Sequence, residues 1–158
     1  MIDPGQLRDL ITRTLKEIPN GYSEDAVELM MMIAAHESSL GTSLVQNGGG
    51  PALGLFQIEP ATHDDTWENG DSICANAQIL GIECAVEKLE YDLRYQIFMA
   101  RQKLFMISEA IPSNRMVMKM AEYCKKYWNT QHGKATAYDY HEAYLDCCLD
   151  SGVGYGLI

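Results

Sequence analysis

The chain has 158 residues, 47% hydrophobic and 22% charged, with a formal net charge of −10. That balance suits a single globular domain over 1–158 with a core of its own and excludes a disordered or fibrous chain. The acidity argues against a nucleic-acid partner, since a phosphate-binding surface is normally basic, and no apolar run is long enough to span a membrane.

Residues 1–6 have neither the basic nor the apolar region of a signal peptide. The five cysteines, Cys74, Cys84, Cys124, Cys147 and Cys148, are odd in number and two are adjacent. Free thiols in a reducing compartment are therefore expected. No Cys-x-x-Cys pair suggests a structural zinc.

Taken in order, Pro4-Gly5 precedes an amphipathic helix with Leu7, Leu10, Ile11, Leu15 and Ile18 on one face. Pro19-Asn20-Gly21 ends it. Ser23 is an N-cap for a second helix, with Glu24 and Asp25 favoured in its first turn. From Leu29 to Ala35 this helix is apolar all round, which predicts deep burial. His36 and Glu37 close it, and Gly41 terminates it.

Asn47-Gly48-Gly49-Gly50-Pro51 reads as a loop. From Gly54 the pattern alternates, which predicts a short strand or hairpin. Leu55, Gln57 and Glu59 then share one face, and Phe56 and Ile58 the core face. Further helices are expected over 61–68, 72–80, 83–90 and 92–107, with Gly81 as a break. His63-Asp64-Asp65 reads as a solvated helix start. Pro112-Ser113-Asn114 opens the next helix, with Val117, Met120, Cys124 and Tyr127 inward. Thr136 and Asp139 resemble a capping box before a last helix over 137–149. Residues 151–156 read as a loose tail. The expectation is a mainly α fold of about seven helices with one small β-hairpin or strand.

Glu37 has two readings: a solvated glutamate at a helix end, or a general acid. The apolar run before it and the negative end of the helix dipole both disfavour its anion. A carboxyl that keeps its proton is what a general acid needs. Gln57 and Glu59 are either an ordinary exposed strand face or a cleft face beside glycines. Asn129 alone reads as a helix C-cap. His36-Glu37 does not extend to His-Glu-x-x-His, because Leu40 holds the second histidine position. His132 and His141 have no companion at ligand spacing. No metal and no cofactor are expected.

Three separated pieces resemble one family. Glu37-Ser38 at a helix end resembles the Glu-Ser motif of SLT-type lytic transglycosylases, relatives of goose-type lysozyme. Gly54-Leu55-Phe56-Gln57-Ile58 is similar to that family's Gly-Leu-Met-Gln-Ile motif. Tyr127-Trp128-Asn129-Thr130-Gln131-His132-Gly133-Lys134 is similar to its Ala-Tyr-Asn-Ala-Gly-Pro-Gly-Arg motif. The resemblance covers roughly residues 23 to 135 and is strongest to phage-encoded single-domain members.

It implies a lysozyme-like fold and cleavage of peptidoglycan between N-acetylmuramic acid and N-acetylglucosamine. It implies Glu37 as the sole acid/base, giving a 1,6-anhydromuramoyl product without water. Ser38, Gly54, Gln57, Glu59, Tyr127, Trp128 and Asn129 are the expected substrate-binding and site-ordering residues. The partner is the bacterial glycan strand, and a monomer is expected. The chain would act from a host cytoplasm after release to the wall, or from a virion.

Two departures from the family pattern stand out. Trp128 holds the place of the family's cleft tyrosine, with Tyr127 one residue earlier, and one residue on a helix turns a side chain by about 100°. Glu59 is a second carboxylate where many relatives are apolar. It makes a hydrolytic, inverting lysozyme the alternative. An inactive wall-binding or virion structural module is the alternative of another class.

Overall fold

Capping residues open four of the helices among the described residues, and left-handed turns end two. The structure is a computed structural model that describes residues 1–129 and 133–149. Thr130, Gln131 and His132, and the tail expected over 151–156, lie outside the described residues. Among the described residues there are eight helices: α1 (Pro4–Glu17), α2 (Glu24–Ser38), α3 (Pro60–Asn69), α4 (Ile73–Leu80), α5 (Lys88–Tyr91), α6 (Leu93–Phe105), α7 (Val117–Tyr127) and α8 (Ala137–Cys148). The protein is mainly α.

Asp3 caps α1 by accepting the Gln6 N–H at 3.0 Å, and Pro4 takes the first helical turn, where a missing N–H costs nothing. Ser23 Oγ accepts the Ala26 N–H at 3.0 Å to start α2. Three successive left-handed residues, Ser39, Leu40 and Gly41, end it. Gly81, also left-handed, ends α4. Thr136 and Asp139 form both halves of a capping box at α8.

The core is built on α2. Leu29, Met30, Met31, Met32 and Ile33 are almost wholly buried, which stabilises the fold by about 1.5–3 kcal/mol per side chain. α1, α7 and α8 pack around it. Glu28, on its α8 side, is paired with Arg8 at 2.6 Å and accepts the Tyr144 hydroxyl at 2.6 Å. No helix among the described residues is long and apolar enough to cross a membrane. All five cysteines are free thiols.

Three expectations need correction. Residues 83–87 are not helical, and only Lys88–Tyr91 form a turn of helix. The Ala85 N–H is drawn to Tyr95 Oη at 3.0 Å instead of to a helical carbonyl. His63 is buried rather than solvated. Tyr95 Oη accepts from Ala85 and from Trp67 Nε1 at 3.1 Å, so its own proton goes to His63 Nε2 at 2.7 Å. The His63 Nδ1–H is then left for Asp64 at 2.9 Å.

The third concerns the alternating segment. It is a turn over 54–57, closed by the antiparallel pair Leu53–Ile58, with Leu53 also paired to Val45. A turn does not alternate, so Leu55 is buried together with Phe56 and Ile58. Gln57 is half-buried and Glu59 exposed. The β element is thus two single-pair bridges.

Candidate active site

Glu37 is the penultimate residue of α2, and its side chain keeps 17% exposure. The Tyr140 hydroxyl, from α8, donates to Glu37 Oε1 at 2.6 Å. The His36 ring stacks on the Tyr140 ring with centroids 4.0 Å apart. His36 Nδ1 lies 3.5 Å from the same Glu37 oxygen. It is buried without a hydrogen-bond partner, so the contact becomes an ion pair only when the imidazole is protonated. Burial first, then the adjacent Glu37 carboxylate, holds the Tyr140 phenol protonated far above the ordinary tyrosine range. Tyr140 is therefore a fixed donor at working pH.

Asn129, just past α7, also faces the Tyr140 hydroxyl. Its Oδ1 accepts from Lys125 Nζ at 3.1 Å, and the same ammonium reaches Gly133 O at 2.8 Å. A side chain at Gly133 would run into the Asn129 amide. Asn129 is thereby held by both sides of its loop. The C-cap of α7 is Trp128, and Asn129 follows it.

The 54–57 turn is fixed to α2 by Ser38. This buried hydroxyl contacts Leu55 O at 2.7 Å and Ala34 O at 3.1 Å, and accepts the Gly41 N–H at 2.9 Å. Gln96 of α6 holds the turn from the other side, accepting the Leu55 N–H at 2.7 Å. Gly54 is buried there. Its φ is +78°, and a Cβ would run into Leu89 O and lie 2.6 Å from Gln96 Oε1. Its glycine serves packing rather than ligand approach. The Gln57 Nε2 donates to Gly54 O at 2.9 Å from a left-handed backbone. Glu59 sits at the N-cap of α3 without a capping bond from its side chain.

The two aromatic candidates separate. Tyr127 turns to Glu109, which accepts its hydroxyl, and packs on Tyr123. Trp128 is buried, and its Nε1 reaches Phe56 O in the 54–57 turn at 3.3 Å. The Lys103 ammonium lies over the Trp128 ring, 3.7 Å from its centroid. Burial pulls the Lys103 ammonium down to about 8, although the Glu37 and Glu59 carboxylates both pull it up.

Glu59 lies two residues past Gln57 at the exposed start of α3, and Glu37, Ser38, Gln57, Trp128 and Asn129 are brought into one connected region. Tyr127 is not. Tyr140, Lys103 and His36 belong to the region and escape sequence reasoning. The one signal for Tyr140 was the Tyr140, Tyr144, Cys148 stripe, which marks it as inward-facing and nothing more. Two further cavities, about 320 and 270 Å³, are lined by Arg101, Glu109 and Tyr123 and by Ser72, Gln102 and Met106, and neither includes Glu37. A scan against protein-family models and searches of curated proteins and of solved structures found no match to this chain.

Proposed function

We propose that this chain is a peptidoglycan lytic transglycosylase with a lysozyme-like fold, and that Glu37 is its acid/base. The observation that carries the reading is the arrangement around Glu37. A partly exposed carboxylate at a helix end accepts a fixed phenol proton, and the adjacent Ser38 ties the same helix end to the Gln57 turn. One carboxylate held in a known orientation beside a polar turn is suited to protonating a leaving oxygen.

In this reading the Glu37 carboxyl passes its proton to the glycosidic oxygen, and the C1–O4 bond breaks. The carboxylate then takes the proton of the muramoyl 6-hydroxyl as O6 bonds to C1. Glu37 ends as it began, no water is consumed, and no cofactor is needed. Tyr140 holds the carboxylate between the two steps. Gln57 binds sugar N-acetyl or hydroxyl groups, and Trp128 supports the turn that carries it. The partner is the bacterial glycan strand, met during phage lysis or wall penetration on infection.

A second reading, hydrolysis by an inverting lysozyme, is favoured by one observation. Glu59 is an exposed carboxylate at the start of α3, two residues past Gln57. Such an enzyme needs a second carboxylate to activate water. Purified walls test the main reading. Glu37→Gln should retain the fold and release no muropeptides. Release at the wild-type rate would remove Glu37 from the mechanism, and wall binding without release by the wild type would make the chain a binding module.

A further inference from the structure

Three buried side-chain nitrogens have no hydrogen-bond partner among the described residues: His36 Nδ1, Gln96 Nε2 and Gln102 Nε2. Such atoms are costly, and each asks for a reason. The two glutamines have one. Gln96 Oε1 accepts the Leu55 N–H at 2.7 Å and Gln102 Oε1 accepts from Ser72 Oγ at 3.3 Å, so the oxygen fixes where each amide nitrogen falls. The His36 ring makes no hydrogen bond among the described residues that would dictate its orientation. It is held by its stack on Tyr140, with centroids 4.0 Å and planes 29° apart. A phenylalanine would keep that stack and bury no polar nitrogen. The position is therefore one where the fold alone favours phenylalanine and the chain carries an imidazole.

The orphaned nitrogen has a direction. His36 Nδ1 lies 3.5 Å from Glu37 Oε1, the same oxygen that accepts the Tyr140 hydroxyl at 2.6 Å. Two donors thus converge on one carboxylate oxygen. The other oxygen, Oε2, takes no hydrogen bond from the described residues and is not among the buried orphaned atoms. At 3.5 Å the His36 contact is longer than a hydrogen bond. Catalytic hydrogen bonds are often long in the free enzyme and tighten around bound substrate.

We propose that His36 is a positioning residue of the Glu37 site: its Nδ1–H joins the Tyr140 hydroxyl on Glu37 Oε1 and leaves Oε2 as the atom that gives and retakes the proton. The inference rests on the transglycosylase reading. In the acid form Oε1 is the carbonyl oxygen and Oε2 carries the proton. When that proton passes to the glycosidic oxygen, negative charge spreads over both oxygens, and the two donors meet the share on Oε1. The proton of the 6-hydroxyl then returns to Oε2 as O6 bonds to C1. His36 keeps its own Nδ1–H throughout. Donors fixed in advance toward a developing anion are among the largest sources of catalysis. The orphaned nitrogen is the cost to the fold of holding one there.

His36→Phe, His36→Asn and Glu37→Leu test this. His36→Phe keeps a ring on Tyr140 and removes the donor. It should hold its Tm, lower kcat on soluble glycan strands by about tenfold, and change KM little. His36→Asn loses the stack but can place an amide N–H where Nδ1–H stands, and it should recover most of the lost kcat. A purely structural histidine gives the reverse order, an active His36→Phe and an impaired His36→Asn. That order, or a His36→Phe kcat within about twofold of wild type, overturns the proposal. With 15N in the histidine rings, the neutral His36 of the wild type should carry its proton on Nδ1 and should move it to Nε2 in Glu37→Leu, where the acceptor is gone. A wild-type His36 protonated on Nε2, or a tautomer unchanged in Glu37→Leu, also overturns it. The tautomer needs no wall activity, so a wild type that cleaves no peptidoglycan would sink the transglycosylase reading while the pairing of His36 with Glu37 is decided separately.

Discussion

The Tyr140 hydroxyl and the Glu37 carboxylate meet at 2.6 Å across 103 residues of chain. This contact joins α8 to the end of α2 and makes the phenol a permanent donor to the candidate acid. A hydrogen bond to a charged group is worth about 1.5–3 kcal/mol. Tyr140→Phe should therefore lower kcat by roughly 10- to 100-fold, with the product unchanged. Steady-state kinetics on soluble glycan strands measures this. Wild-type kcat in Tyr140→Phe would mean that Glu37 needs no such support.

Ser38→Ala removes the hydroxyl between the α2 end and the 54–57 turn. The loss strands the buried Leu55 O, which costs about 1–3 kcal/mol, and frees the part-buried Gly41 N–H. The variant should unfold at lower denaturant, and the Gly41 amide should exchange faster with solvent. An unchanged midpoint would show that neighbouring water or backbone replaces the hydroxyl.

Gly54→Ala tests whether packing or ligand access requires glycine. The left-handed backbone costs an L-residue about 1–2 kcal/mol, and the new methyl would run into Leu89 O and the Gln96 amide. The expected result is a protein with a strongly reduced Tm or none that folds. A well-folded variant that has lost only substrate affinity would instead assign Gly54 to the ligand.

Lys103 gives stability an unusual pH dependence. Its folded value, about 8, lies below the ordinary lysine value of 10.5. Between the two the unfolded chain binds the extra proton, so stability rises with pH across this window and is lost as pH falls through 8. The full change is on the order of 3 kcal/mol. Buried tyrosines act oppositely. Tyr123 is pushed up to about 12, and Tyr144 is raised by burial and then by Glu28. Their folded values exceed the unfolded one, so they withdraw stability as pH passes 10. The difference between wild type and Lys103→Met in denaturant midpoint from pH 7 to 10 isolates the lysine. The gap should close as pH rises, and a constant gap would contradict the assignment.

Local signals made much of the fold legible. Ser23, Gly81 and the Thr136–Asp139 pair act within four residues of themselves, and each bounds a helix as expected. The all-apolar run before His36 marked the buried α2, and with it the exceptional place of Glu37. What escaped is decided by distant contacts. Ala85 turns from helix to Tyr95, and His63 is buried by the same hydroxyl. The 54–57 segment was read by strand alternation, although Gly54 and Gln57 adopt left-handed backbone and make a turn. That change of period buries Leu55 and leaves Glu59 exposed. Tyr140 and Lys103 carry no motif at all. The relation of Tyr140 to Glu37 exists only once α8 is folded against α2.

The central claim is that Glu37 and the muramoyl 6-hydroxyl complete the reaction without water. Mass spectrometry of muropeptides released from purified walls by the wild-type chain tests it most directly. The account predicts 1,6-anhydromuramoyl ends, absent from a Glu37→Gln digest. Products ending in reducing muramic acid, lost when Glu59 is changed to glutamine, would contradict it and assign water activation to Glu59.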